Sequence, residues 1–110
     1  MSSDDAPILV YTTFATPEDA ARVGRALVEA RLAACVNVFP GMTAIYEWQG
    51  GLEEAGECAM LIKSRRGLQA NLLEEARRLH PYDTPALLVI GVDGGAADFL
   101  AWIVAQTQPA

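Results

Sequence analysis

The stretch from Leu32 to Ser64 reads LAACVNVFPGMTAIYEWQGGLEEAGECAMLIKS, and its pattern decides the fold. Side chains alternate with a period of two from Met42 to Gln49 and again from Glu57 to Lys63, as they do in β-strands. Between these segments, Gln49-Gly50-Gly51 offers residues that tolerate the positive φ angles of a tight reversal. The sequence therefore predicts a long antiparallel hairpin whose first arm bends at Pro40-Gly41.

Neither face of this hairpin is consistently polar. The first arm places Tyr46 and Trp48 on one face and Ile45 on the other. An antiparallel sheet that helices cover on one side normally shows polar residues on the side that meets water. We therefore expect both faces to be covered, the second of them by other copies of this chain.

The segments around the hairpin complete a β-α-β-β-α-β order. The predicted elements are a strand over residues 8–13, a helix from 17 to about 31, the hairpin, a helix over 66–79, a strand over 86–92 and a last helix over 96–107. Thr16 and Ser64 are the expected helix caps. This order predicts an α+β ferredoxin-like sandwich, in which two helices cover one face of a four-stranded sheet and an extra C-terminal helix follows.

Size and charge limit the function classes. The 110 residues, 52% of them hydrophobic, predict a single domain over residues 1–110, with residues 1–7 expected to be flexible. Eight Lys and Arg against fourteen Asp and Glu give a net charge of −6, which disfavours nucleic acids and anionic membranes as partners. The sequence shows neither a targeting segment nor an apolar run of the ~20 residues that a membrane helix needs, so we expect a cytoplasmic protein.

The two cysteines lie in apolar strand segments. Cys35 and Cys58 lack the C-x-x-C spacing of a zinc or redox site, and an intracellular compartment would keep them reduced. Free cysteines in such segments are usually small core residues. The alternative is a ligand role for Cys35, because a soft thiolate suits Cu(I).

Five motifs are spread over nearly the whole chain: RLAACVN at 31–37, IYEWQG at 45–50, MLIK at 60–63, HPYDTP at 80–85 and FLAWI at 99–103. Together they resemble the CutA family of divalent-cation tolerance proteins. The resemblance implies a homotrimer with a PII-like architecture, in which hairpins join the sheets of neighbouring subunits. It also implies a link to copper and other divalent cations. The positions at which copper ligation in the family involves an additional Cys and His hold Tyr11 and Leu79 here.

A metal site in this chain would centre on His80, the only histidine. Because one imidazole cannot complete a shell, we predict that Glu57, Asp83 and Cys35, or residues of a second subunit, supply the further ligands for Cu²⁺ or another divalent cation. Binding would then be weak and unselective. The alternative is that His80 only satisfies hydrogen bonds at the end of its helix.

A second candidate site is a ligand cleft between subunits. Its predicted residues are Tyr46, Trp48, Lys63, Tyr82 and Trp102, since aromatic rings with a polar atom are common in clefts. A small anionic effector would suit such a cleft in a PII-like signalling module, whereas interface packing is the alternative role for the rings. The sequence has no Ser-His-Asp order and no phosphate-binding loop, so we expect no enzyme activity.

Overall fold

A computed structural model describes residues 3–109. Its strands are β1 (Pro7–Phe14), β2 (Cys35–Trp48), β3 (Gly51–Arg65) and β4 (Leu88–Gly91). Its α-helices are α1 (Pro17–Glu29), α2 (Gln69–Leu79) and α3 (Ala97–Gln106), and short 3₁₀ turns cover Ser3–Asp5 and Arg66–Leu68. Within the described range, no helix combines the length and the apolar character needed to cross a membrane.

The four strands form one antiparallel sheet in the order β2-β3-β1-β4. The first and third strands lie at the centre, with Val10 opposite Ile62 on β3 and opposite Val89 on β4. This topology is that of the split β-α-β sandwich. The predicted α+β ferredoxin-like fold with an extra C-terminal helix is thus confirmed.

One face of the sheet packs against α1 and α2. The fully buried side chains of this core alternate along the strands and recur every three or four residues along the helices, and they include Ile8, Val10, Phe14, Met60, Ile62, Val23, Leu27 and Leu72. Gly24 allows α1 to lie close to β2, because a Cβ atom there would stand 2.6 Å from Cγ2 of Val36.

The opposite face, which we call the open face, is only partly covered within one chain. Its residues alternate with those of the core and include Leu9, Tyr11, Thr13, Cys35, Phe39, Glu57, Leu61, Lys63, Leu88 and Ile90. The last helix covers one end, where Nε of Arg65 donates a 2.9 Å hydrogen bond to Oγ1 of Thr107. Away from α3, Phe39 and Leu88 remain 50% and 60% exposed. Apolar exposure of this kind is typical of an association surface.

The hairpin is longer than the sequence predicted. Its second arm begins at Gly51 and not at Glu57, because every residue from Met42 to Trp48 has a cross-strand partner between Gly51 and Glu57. Gln49 and Gly50 form the two-residue turn with φ angles of 50° and 80°. The bend at Pro40-Gly41 is a bulge within a continuous strand, since the register shifts between Phe39 and Met42.

Other boundaries also differ from prediction. The first helix ends at Glu29 because Arg31 takes a positive φ of 59°. Thr16 caps this helix as expected, accepting the N–H of Asp19. Ser64 is not a cap: its buried hydroxyl donates to the carbonyl of Leu32 at 2.7 Å, and α2 begins only at Gln69.

The strand predicted over 86–92 is confined to Leu88–Gly91. Of the N-terminal segment predicted to be flexible, residues 1 and 2 lie outside the described range. The next three residues, Ser3–Asp5, form a 3₁₀ turn, and Pro7 already belongs to β1. Asp5 forms an ion pair of 3.8 Å with Arg65, which ties this turn to the end of β3.

Candidate functional site

A cavity of about 830 Å³ lies on the open face, at the end of the sheet away from α3. We call it the acidic aromatic cleft, and its lining residues are Thr13, Tyr46, Trp48, Glu53, Glu57, Tyr82, Asp83, Thr84 and Ala86. Three chain segments build it: the end of β1, one face of the hairpin, and the loop between α2 and β4. Its volume lies within the range of roughly 300–1,000 Å³ that is usual for small-molecule sites.

The hairpin register places aromatic and acidic side chains on the same face. Tyr46 is the cross-strand partner of Glu53, and Trp48 lies two residues further along the same face. Glu57 follows Glu53 on this face after four residues, so about 13 Å of strand separates their Cα atoms. The cleft therefore has carboxylates at two separate points along the hairpin.

His80 holds the loop after α2 against the sheet. Tyr82 donates its backbone N–H to Nδ1 of His80 at 3.1 Å, so the ring proton is on Nε2, which donates to the carbonyl of Thr13 at 2.8 Å. The imidazole is 7% exposed and stacks on the Phe14 ring with centroids 4.3 Å apart. Burial lowers the pKa of His80, Arg22 acts in the same direction, and the hydrogen bond to Thr13 opposes them in part. His80 is thus held neutral.

This loop delivers Tyr82 to the inner end of the cleft. The hydroxyl of Tyr82 donates a 2.8 Å hydrogen bond to Oε2 of Glu57. Burial, and after it this hydrogen bond, raises the pKa of Tyr82 far above its ordinary value, so the phenol stays protonated and able to donate. The pair joins the loop to the base of the hairpin.

Removing the hydroxyl of Tyr82 should weaken the attachment of the loop after α2 to the hairpin. Tyr82→Phe leaves the ring in place but takes the hydrogen bond from the half-buried Glu57, which we expect to cost about 1.5 kcal/mol of stability. Urea unfolding at a fixed protein concentration measures this. Tyr46→Phe is the matched control, since Tyr46 is 45% exposed and should change stability little. Equal losses for the two variants would show that the hydroxyl of Tyr82 makes no special contribution.

The predicted metal ligands do not assemble within one chain. Glu57 lines the cleft with Asp83, but both ring nitrogens of His80 already have hydrogen-bond partners. Cys35 is opposite Lys63, six residues along β3 from Glu57 and so about 20 Å away. Among residues 3–109, no three His, Cys, Asp or Glu side chains are placed to hold a metal ion together. The geometry favours the structural role for His80.

The predicted ligand-cleft residues divide into two groups. Tyr46, Trp48 and Tyr82 line the acidic aromatic cleft. Lys63 and Trp102 do not, because Lys63 lies at the other end of the sheet, and Trp102 belongs to α3, which covers that end. There Nζ of Lys63 stands 5.3 Å from the centroid of the Phe99 ring, and the ring of Trp102 stacks on Phe99 at 5.5 Å.

Sequence reasoning missed four lining residues, Glu53, Thr13, Thr84 and Ala86. A signal for Glu53 was available: counting outward from a two-residue turn at Gln49-Gly50 pairs it with Tyr46. The other three had no such signal, because only the packing of β1 and of the loop after α2 brings them to the hairpin.

The cysteines have different environments. Cys58 is fully buried and donates from Sγ to the carbonyl of Thr16 at 3.3 Å, and burial raises the pKa of its thiol. The prediction of a core cysteine is right for Cys58. It is wrong for Cys35, which is partly exposed and lies on the open face. Because the two residues lie on opposite faces of the sheet, both thiols are free.

Comparison with known proteins gives a consistent result. The family model described as CutA1 divalent ion tolerance protein matches residues 8–106. The divalent-cation tolerance protein CutA of Pectobacterium atrosepticum is 46% identical over 106 residues, which cover 94% of this chain and 94% of that protein. The protein of the same name from Pyrococcus horikoshii is 41% identical over 101 residues, covering 92% and 98%. The crystal structure of the divalent ion tolerance protein CutA1 from Ehrlichia chaffeensis has a TM-score of 0.92 at 34% identity, covering 94% of this chain and 97% of that one.

Proposed function

Because this chain belongs to the CutA1 divalent ion tolerance family, we propose that it serves divalent-cation tolerance as a binding protein without enzyme activity. We propose further that the acidic aromatic cleft is its ligand site. The convergence of three chain segments on one cavity, joined by the hydrogen bond between Tyr82 and Glu57, is the observation that supports this choice.

The charge of the cleft favours a cation. Glu53, Glu57 and Asp83 line it, and none of the lining residues described there is Lys or Arg. The net charge of −6 adds a general attraction for cations. A small anionic effector, the alternative of a PII-like signalling module, has less support, because Lys63 lies at the far end of the sheet beside Phe99.

The residues fit loose contact with a divalent cation better than a closed metal centre. Carboxylate oxygens suit hard divalent ions, whereas Cu²⁺ usually takes imidazole nitrogen. His80 could supply that nitrogen only by giving up a hydrogen bond to Thr13 or Tyr82. A divalent cation in this cleft would therefore be held by carboxylates, from one chain or from neighbouring copies, with weak affinity.

Assembly and location complete the proposal. We expect a homotrimer, as the resemblance to the family implies, and the exposed apolar residues of the open face are consistent with contacts between copies. A cytoplasmic location stays a prediction. The protein CutA of Arabidopsis thaliana is named as chloroplastic, and the Archaeoglobus fulgidus structure is described as periplasmic, so the compartment differs among relatives.

Calorimetric titration of the purified full-length protein with Cu²⁺ and Mg²⁺ tests the cation site. We expect weak binding of both ions, and about tenfold weaker binding in Glu57→Gln, which removes a charge but keeps an acceptor for Tyr82. Glu74→Gln is the control, because it removes the same charge from an exposed position on α2. Cells that depend on Glu57→Gln should also tolerate less copper. If both variants bind as the parent does, the cleft is not the cation site.

A further inference from the structure

We propose that the acidic aromatic cleft binds a linear aliphatic polyamine, a flexible chain with an ammonium group at each end. This inference rests on the proposed role of the cleft as the ligand site, and it names the class of ligand. Three features support it: the spacing of the carboxylates, the aromatic side chains beside them, and the fixed geometry at the inner end of the cleft.

Glu53 lies too far from Glu57 and Asp83 for all three carboxylates to hold one small ion. Glu57 and Asp83 line the inner end, whereas Glu53 lies about 13 Å further along β3. Ligand oxygens stand only about 2.0–2.6 Å from a magnesium or calcium ion, so one ion cannot contact both ends. An extended diamine or triamine can place one ammonium group at each end. The spacing thus favours a long cation with separated charges.

Aromatic side chains line the cleft beside these carboxylates. Tyr46 is opposite Glu53, Trp48 follows on the same face, and Tyr82 stands at Glu57. Ring faces attract ammonium groups within about 6 Å, and they also provide an apolar surface for methylene groups. Tyr46 and Trp48 are 45% and 59% exposed in the chain, so a ligand can reach their rings. A polyamine has both kinds of group, whereas a hydrated metal ion has neither.

The inner end of the cleft is already ordered for an ammonium group. Oε2 of Glu57 accepts the Tyr82 hydroxyl, and a carboxylate has further lone pairs that can accept from a ligand. His80 fixes Tyr82 through the backbone N–H. A carboxylate that the protein already orients loses less conformational freedom on binding.

Calorimetry with spermidine, at constant ionic strength and on the full-length protein, tests this inference. We expect spermidine to bind at least about tenfold more tightly than propylamine, which has a single charge, because only spermidine reaches both ends. Glu53→Gln and Glu57→Gln should each weaken spermidine binding about fivefold or more, and Glu74→Gln less than twofold. Trp48→Leu should weaken it, whereas Trp102→Leu, at an exposed ring on α3, should not. Sedimentation of each variant checks that assembly is unchanged.

The outcomes separate this inference from the proposed function. Equal affinities for spermidine and propylamine, or equal losses in Glu53→Gln and Glu74→Gln, would overturn the polyamine inference as unspecific charge attraction. If the substitutions in the cleft leave spermidine binding unchanged while Cu²⁺ binding still falls in Glu57→Gln, the inference fails and the proposed cation site stands. If Glu57→Gln changes the binding of neither spermidine nor Cu²⁺, both the polyamine inference and the proposed cation site are wrong.

Discussion

Replacement of Ile90 by lysine is expected to convert the assembled protein into monomers and to lower its melting temperature strongly. Ile90 lies on the open face, 44% exposed within the chain, near the 60% exposed Leu88. In the proposed trimer the part of the open face around Leu88 and Ile90 is buried, and each large apolar side chain that is withdrawn from water contributes about 1.5–3 kcal/mol. A buried lysine ammonium adds a desolvation cost of several kcal/mol. The change is repeated in every subunit, so the expected effect is large.

Sedimentation equilibrium and thermal unfolding at matched protein concentrations measure this effect, since the stability of an assembled protein depends on concentration. Val28→Lys is the matched control, because Val28 is an apolar residue of similar exposure, 38%, on α1 and away from the open face. This control should remain assembled. A parent protein that sediments as a folded monomer at micromolar concentration, or an Ile90→Lys variant that stays trimeric, would refute the proposed interface.

His80→Ala is expected to cost about 3 kcal/mol of stability and to release the loop that carries Tyr82. The substitution leaves the carbonyl of Thr13 and the N–H of Tyr82 without their partner, and each unpaired buried group costs about 1–3 kcal/mol. It also opens a space beside the Phe14 ring, which adds a packing loss. Denaturant unfolding measures the total, and Glu74→Ala at an exposed position of α2 is the control. A cost no greater than that of Glu74→Ala would contradict the structural role of His80.

We also expect the stability of the protein to depend on pH through the titration of His80. Because burial lowers the pKa of His80, the folded protein keeps it neutral at pH values at which the unfolded chain, with a pKa near ~6.5, takes up a proton. The contribution of neutral His80 is therefore complete above about pH 6.5 and is lost as the pH falls from there towards the lowered folded-state pKa. Asp19 and Arg22 on α1 are the charged groups that act on it. In His80→Gln the slope between about pH 6.5 and 5 should flatten, and an unchanged slope would assign it to other groups.

The sequence predicted the individual residues of the candidate site better than it predicted their grouping. Tyr46, Trp48, Tyr82, Glu57 and Asp83 were all expected at ligand sites, and all of them line the cleft. They were distributed over two separate predicted sites, however. The sequence alone did not reveal that these residues share one cavity, because contacts between distant segments hold the loop after α2 at the hairpin. These are the contact of His80 with β1 and the hydrogen bond of Tyr82 to Glu57.

A second error was to assign to the predicted sites three residues that lie away from the cleft. Lys63, Trp102 and Cys35 were assigned to the sites by residue type. In the structure, Lys63 and Cys35 lie at the end of the sheet that α3 covers, and Trp102 lies on α3 itself. Residue type says nothing about which end of a strand another element crosses. That placement depends on the strand register and on the path of α3.

By itself, the sequence determined the order of the elements and the two-faced hairpin, because period-two alternation, the Gln49-Gly50 turn and the Thr16 cap act between near neighbours. Only the tertiary structure decided where α2 begins, since the hydroxyl of Ser64 binds the distant carbonyl of Leu32 and is not free to cap the helix. Only the tertiary structure also decided the role of His80, whose two nitrogens bind Thr13, 67 residues away in the chain, and its near neighbour Tyr82. Such contacts join segments that are far apart in the chain, and no local pattern encodes which of the possible partners lies within reach.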